Sequence, residues 1–130
     1  MASYSFISDP EVLRSVEELV LSFISQYEVQ EPLRERMIVS SLEAISNSIN
    51  HGNGGDVAKK VNFTLEKRSK NIVIVVEDEG CGFDYARLPD PTLPDNILKT
   101  DGRGVFLMRM LSDAIKFNET GNKVELFFNI

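Results

Sequence analysis

Apolar residues recur along the chain with two different periods, and the switches between them outline the elements. Val12, Val16, Leu19, Val20, Phe23, Ile24 and Tyr27 recur at spacings of three and four, which predicts a helix with one apolar face. Asp9-Pro10-Glu11 stands before them as a helix start: a capping side chain, a proline at the first helical position and an acid in the first turn. Tyr4-Ser5-Phe6-Ile7 reads as a short first strand. A second helix is predicted from Pro32 to about His51, where Gly52-Asn53-Gly54-Gly55 stops it. Leu42, Ile45 and Ile49, with Ile38 and Ser41, gather on one face of that helix. At about 100° per residue, Glu43, Asn47 and His51 form a polar stripe nearly opposite.

The period then changes to two. Val61, Phe63 and Leu65 alternate within residues 57–67, which predicts a half-exposed strand. Ser69-Lys70-Asn71 is a turn. Ile72 to Val76 is an unbroken β-branched run and predicts a buried central strand, so the pair reads as a hairpin. From Glu77 to Gly104 no regular element fits. Glycines at 80, 82, 102 and 104 and prolines at 89, 91 and 94 punctuate this stretch. So long an irregular segment inside a compact domain is usually functional, as a lid is. A short helix over Val105–Leu111, a strand over Ala114–Phe117, a turn at Glu119–Asn122 and a strand over Lys123–Phe128 complete the chain. Two hairpins imply a mixed, mainly antiparallel sheet, and the amphipathic helices must cover one of its faces. The expected class is α+β, a two-layer α/β sandwich.

Composition narrows the function. The 130 residues suit one domain, expected over residues 1–130. They carry 14 basic and 20 acidic side chains, a net charge of −6. An acidic chain lacks the footprint of a direct nucleic-acid binder. A phosphorylated ligand would be held locally, by oriented amides or through a metal. Cys81 is the single cysteine and His51 the single histidine. Neither an internal disulfide nor a nitrogen–sulfur zinc site can be built, and a reducing, cytoplasmic setting is expected. No basic start followed by an apolar stretch opens the chain. The longest aliphatic run is far short of the roughly 20 residues that span a bilayer as a helix, so no membrane role is expected.

Three features could carry chemistry. In the stripe Glu43, Asn47, His51, an Asn carbonyl is a hard oxygen ligand suited to Mg²⁺, and a nearby Glu could serve as general base. A solvated helix face is the plainer alternative. In Asp78-Glu79-Gly80-Cys81-Gly82-Phe83-Asp84, glycines let the backbone approach a ligand, and Asp78 could accept from an exocyclic amine; an ordinary loop is the alternative. Gly102-Arg103-Gly104 opens a short helix, whose first amides and guanidinium fork suit phosphate; a glycine hinge is the alternative. No P-loop, dinucleotide fingerprint or nucleophile–histidine–acid set is present.

Taken together and in this order, the three segments resemble the GHKL ATP-binding fold shared by gyrase and the histidine kinases. E-A-I-S-N-S-I-N-H-G (Glu43 to Gly52) is similar to its N box. D-E-G-C-G-F-D (Asp78 to Asp84) is similar to its first glycine box, and G-R-G-V-F-L-M-R-M-L-S-D-A-I-K-F (Gly102 to Phe117) to its second. Within the fold the chain is most similar to the stand-alone anti-sigma-factor serine-protein kinases of bacterial partner-switching systems. The resemblance implies ATP and ADP as ligands with Mg²⁺, held by Asn47. It implies Glu43 as the base that activates the acceptor hydroxyl, and Asp78 as acceptor for the adenine amino group. Gly80 and Gly82 would shape the adenine pocket. Gly102, Arg103 and Gly104 would end a lid over about residues 84–103. His51 follows the box pattern as a helix-end residue. Asn122-Lys123-Val124-Glu125 lacks the threonine that family members often carry in the last strand.

The implied function is that of an anti-sigma regulatory factor with serine/threonine protein kinase activity. Such a protein phosphorylates a STAS-type anti-anti-sigma partner in one state and sequesters a sigma factor in the other. The resemblance also implies a homodimer. Two alternatives are a non-catalytic ATP-binding interaction module and a detached ATPase domain of a sensor histidine kinase. Glu43 speaks against the first, because binding alone needs no base. The short chain speaks against the second, because it leaves no room for a helix pair carrying an acceptor histidine.

Overall fold

The computed structural model describes residues 1–80 and 103–130, and of Arg103 the backbone alone. In chain order these form β1 (Ala2–Ile7), α1 (Val12–Gln26), α2 (Leu33–Asn47), a π-helical turn (Ser48–Gly52), β2 (Lys60–Lys67), β3 (Asn71–Asp78), α3 (Arg103–Leu111), β4 (Ala114–Phe117) and β5 (Lys123–Asn129). Cys81, Gly82, Gly102 and the expected lid up to residue 102 lie outside the described residues. The sheet order is β1-β2-β3-β5-β4. All four pairings are antiparallel. The helices lie against one face, so the two-layer α+β sandwich is the observed fold.

The register explains the core. Ile72, Ile74 and Val76 alternate on β3 and meet Phe128, Leu126 and Val124 across β5. On the other side they meet Lys67, Leu65 and Phe63 of β2. Together with Val16, Val20, Phe23 and Ile24 of α1, Met37 and Ile45 of α2, and Val105 and Met108 of α3, the apolar members of these rows form one buried cluster. Burying a side chain of this size stabilises by about 1.5–3 kcal/mol. The same alternation has a polar consequence. Asp78 is two residues past Val76, so it falls on the helix-covered face and closes the row Phe6–Val61–Asp78 at the end of the sheet.

Several boundaries depart from expectation; β1 starts two residues early at Ala2 and α3 two residues early at Arg103. Helix α1 starts at Val12 rather than at Pro10, because Asp9 caps a turn and not the helix. Its Oδ1 accepts from the Glu11 N–H at 2.9 Å, and Val12 and Leu13 donate to the Asp9 and Pro10 carbonyls. Strand β2 starts at Lys60, because Asp56 folds residues 56–59 into a turn. Strand β3 continues to Asp78, two residues past its apolar run.

The larger correction concerns α2. Its buried residues are Met37, Ser40, Ser41, Ala44 and Ile45, with Ile38 only partly buried. At about 100° per residue, the buried face is rotated by roughly a quarter-turn toward the polar stripe. The cause is packing on two sides: α2 lies between α1 and α3, and small side chains let the backbones approach. Glu43 and Asn47 are therefore half-buried rather than on a solvated face, while His51 is exposed.

Candidate functional site

The best-defined part of the site is built around the Asp78 carboxylate. The residue is buried at 6 % exposure. Its Oδ1 accepts from the Gly80 N–H at 2.8 Å, and the Ser48 hydroxyl lies beside the carboxylate and favours its charged form. Its own N–H donates to the Asn122 carbonyl at 2.9 Å, and Asn122 Nδ2 donates to the Asp78 carbonyl at 3.3 Å. Burial raises its pKa above the ordinary carboxylate value. The Gly80 amide, the Ser48 hydroxyl and the Lys59 charge pull it back down, and the Glu77 charge adds to the rise. The result is an acceptor held in a dry place, short of the donors its lone pairs could take.

Two glycines make that placement possible. A Cβ on Gly52 would overlap the Asp78 carboxylate, and one on Gly80 would overlap the Gly52 carbonyl. Any side chain at either position would push the carboxylate out or part the loop from the helix end. The π-helical turn brings Gly52 there. Its wider coil ends with Asn53 N–H donating to the Ser48 carbonyl at 2.8 Å and Gly55 N–H to the Ile49 carbonyl at 2.8 Å. Single π turns interrupting a helix occur often at functional sites. Here the turn carries Ser48 and Gly52 to Asp78.

The second part lies on α2 and the start of α3. Glu43 and Asn47 are one helical turn apart, so their side chains project to the same side. Among the described residues neither has an ion pair or a side-chain hydrogen bond. A Cβ on Gly104 would stand 3.1 Å from Glu43 Oε2, so the carboxylate reaches the first turn of α3. Val105 and Met108 anchor α3 in the core. At its far end, Arg36 Nε donates to the Leu111 carbonyl at 2.7 Å and Nη2 pairs with Asp113 Oδ1 at 3.3 Å. An Asn carboxamide with no partner among the described residues leaves its carbonyl oxygen free for a hard cation such as Mg²⁺. A buried, amide-braced carboxylate fits an exocyclic amine. The residues present thus fit a Mg²⁺–ATP complex.

The structure brings Glu43 next to Gly104, and Asp78 next to Gly80 and Gly52. Gly82 and Gly102 fall outside the described residues, as does the Arg103 side chain. Sequence reasoning missed four contributors: Ser48, Gly52, Asn53 and Asn122. The signal for Asp78 itself was present in the alternation Ile72, Ile74, Val76, Asp78, which puts an acid on a core face. Asn122, in the stretch that lacks the expected threonine, supports Asp78 through the main chain. Asn53 sits between glycines and carries only the signal of a turn.

Comparison with known proteins agrees with this layout. The family model described as "Histidine kinase-like ATPase domain" matches residues 6–128. The chain is 28% identical to the serine-protein kinase RsbW of Oceanobacillus iheyensis over 91% of this chain and 82% of that protein. It is 30% identical to the anti-sigma F factor of Shouchella clausii over 88% of this chain and 78% of that protein. To the anti-sigma F factor of Clostridium novyi it is 33% identical, over 78% and 72%. A family match over nearly the whole chain, on a fold whose boxes converge as described, shows that the chain belongs to the histidine kinase-like ATPase domain family.

Proposed function

We propose that this protein is an ATP-dependent serine/threonine protein kinase that doubles as an anti-sigma factor. It phosphorylates a STAS-type anti-anti-sigma partner and, in its other nucleotide state, binds a sigma factor. The observation that carries the catalytic part is Glu43: a half-buried carboxylate, unpartnered among the described residues, facing the first turn of α3 at Gly104. A module that only bound nucleotide would need Asn47 and Asp78 but not this group. The relatives named serine-protein kinase and anti-sigma F factor support both halves of the reading.

The residues divide the work. Asp78, braced by Gly80, accepts from the adenine amino group; Gly52 leaves room for that carboxylate, and Gly80 and Gly82 shape the adenine pocket. Asn47 would hold Mg²⁺, which when bound would neutralise phosphate charge beside a protein of net charge −6. Gly102, with Arg103 and Gly104 of α3, holds phosphate oxygens by their amides and the guanidinium. Glu43 takes the proton of the acceptor hydroxyl. The lid over about residues 84–103 sets partner choice according to whether ATP or ADP is held, since a ligand shifts an equilibrium only through unequal contacts with its two states. The protein acts in the cytoplasm as a homodimer.

The test is direct. Purified protein, Mg-ATP and a cognate STAS protein should give phosphoserine or phosphothreonine on the partner, and Asn47→Ala should lose Mg-ATP binding. ATP binding without transfer would leave an interaction module. Binding by Asn47→Ala equal to the parent's would remove Asn47 from the site.

A further inference from the structure

Behind the Asp78 carboxylate lies a second, fully buried polar group that touches none of the proposed ligand groups. Asn53 is 3 % exposed, and every hydrogen-bonding direction of its side chain but one lone pair is used. Oδ1 accepts from the Glu79 N–H at 2.9 Å. Nδ2 donates to Ser8 Oγ at 2.8 Å and to the Lys60 carbonyl at 3.0 Å. Ser8, itself 1 % exposed, donates onward to the Lys59 carbonyl at 2.6 Å. The orientation of the carboxamide is fixed by its neighbours, because a backbone N–H can only donate and a backbone carbonyl can only accept. Only Asn meets this demand: Asp would turn an acceptor toward the Lys60 carbonyl.

Both ends of Asn53 bear on Asp78. Its side chain holds the amide of Glu79, the next residue. Its own N–H holds the carbonyl of Ser48 at 2.8 Å, whose hydroxyl lies beside Asp78 and favours its charged form. The loop from Asp78 to Gly80 is thus pinned from behind to the end of β1 and the start of β2.

We infer that Asn53 is a positioning residue for base recognition: through Glu79 and Ser48 it sets where the Asp78 carboxylate stands, and so how strongly the protein prefers a purine bearing a 6-amino group. This rests on the proposed adenine role of Asp78.

The experiment compares the affinities for ATP and for purine riboside triphosphate, which lacks that amino group, by titration of the full chain. The parent should prefer ATP. In Asn53→Ala the preference should fall about tenfold or more, the scale of a hydrogen bond to a charged acceptor, with the affinity for the amine-free analogue nearly unchanged. Ser8→Ala removes one of the two acceptors of Nδ2 and should lower the preference by a smaller factor. A folded Asn53→Ala that keeps the parent's preference, or that loses both nucleotides equally, overturns the inference. If Asn53→Ala does not fold, an unchanged preference in Ser8→Ala overturns it. A parent that binds ATP no better than the analogue instead defeats the adenine role of Asp78, and this inference with it.

Discussion

The two carboxylates of the candidate site are held in opposite ways. Asp78 is buried, takes a hydrogen bond from the Gly80 amide, has the Ser48 hydroxyl beside it, and is hemmed in by Gly52. Glu43 is half-exposed and, among the described residues, has no hydrogen bond or ion pair. The first suits recognition, where a fixed acceptor rejects a ligand that lacks the matching donor. The second suits proton transfer, where a carboxylate must be free to change partners during a turnover. The contrast teaches that one acid is part of the scaffold and the other is left outside it.

The sharpest test of the contrast is Glu43→Gln. It should leave the fold and ATP affinity nearly intact while phosphoryl transfer to the partner falls about 10²–10⁴-fold, the range for loss of a positioned base. Equal transfer by this variant, measured in single turnover, would erase the distinction between the two acids. Gly52→Ala attacks the other side. Its methyl overlaps the Asp78 carboxylate, so thermal unfolding should show a loss of about 1–3 kcal/mol from overpacking, together with lost ATP binding. A variant as stable and as tight as the parent would mean that Asp78 is not held where it stands here.

Asp78→Asn keeps the size and removes the charge. ATP affinity should fall roughly tenfold to a hundredfold, the worth of a hydrogen bond to a charged acceptor. The smallest effect is on stability against pH. Because burial raises the Asp78 pKa above its ordinary 3.8, the folded chain binds that proton more tightly than the unfolded one. Unliganded parent protein should therefore lose stability relative to Asp78→Asn as the pH rises from the ordinary carboxylate value through the raised one. Above that window the gap should stay constant. Denaturant titrations of both proteins across the acid range measure it, and a parent that lost stability relative to Asp78→Asn on acidification would reverse the assigned sign.

Much of this molecule was legible in its sequence, for reasons that differ by element. Helix α1 is amphipathic because its apolar residues repeat at helical spacing, and one buried face follows. The hairpin of β2 and β3 was legible because Val61, Phe63 and Leu65 alternate beside an unbroken β-branched run. Helix α2 was placed correctly along the chain but wrongly about its axis. Ile38 looked like core and Ser40 did not, yet Ser40 is fully buried, beside the expected Ser41, while Ile38 is not. Hydrophobicity ranks side chains by their cost in water. It does not record that a helix held between two others needs small residues where it approaches them.

By itself the sequence determined the order of elements, the period of each, and the chemical character of the three boxes. These are local properties, set by spacing along the chain and by what each side chain can donate or accept. Only the tertiary structure decided which groups meet. Asp78 becomes a buried acceptor because β3 runs two residues past its apolar run and a π turn folds Ser48 and Gly52 against it. Asn53 becomes its brace because the end of β1, the start of β2 and the end of that turn meet at one place. Those contacts join residues as far apart as Ser8, Asn53 and Glu79. They exist only once the sheet has closed, because no local preference of the chain fixes a distance between segments that are remote in sequence.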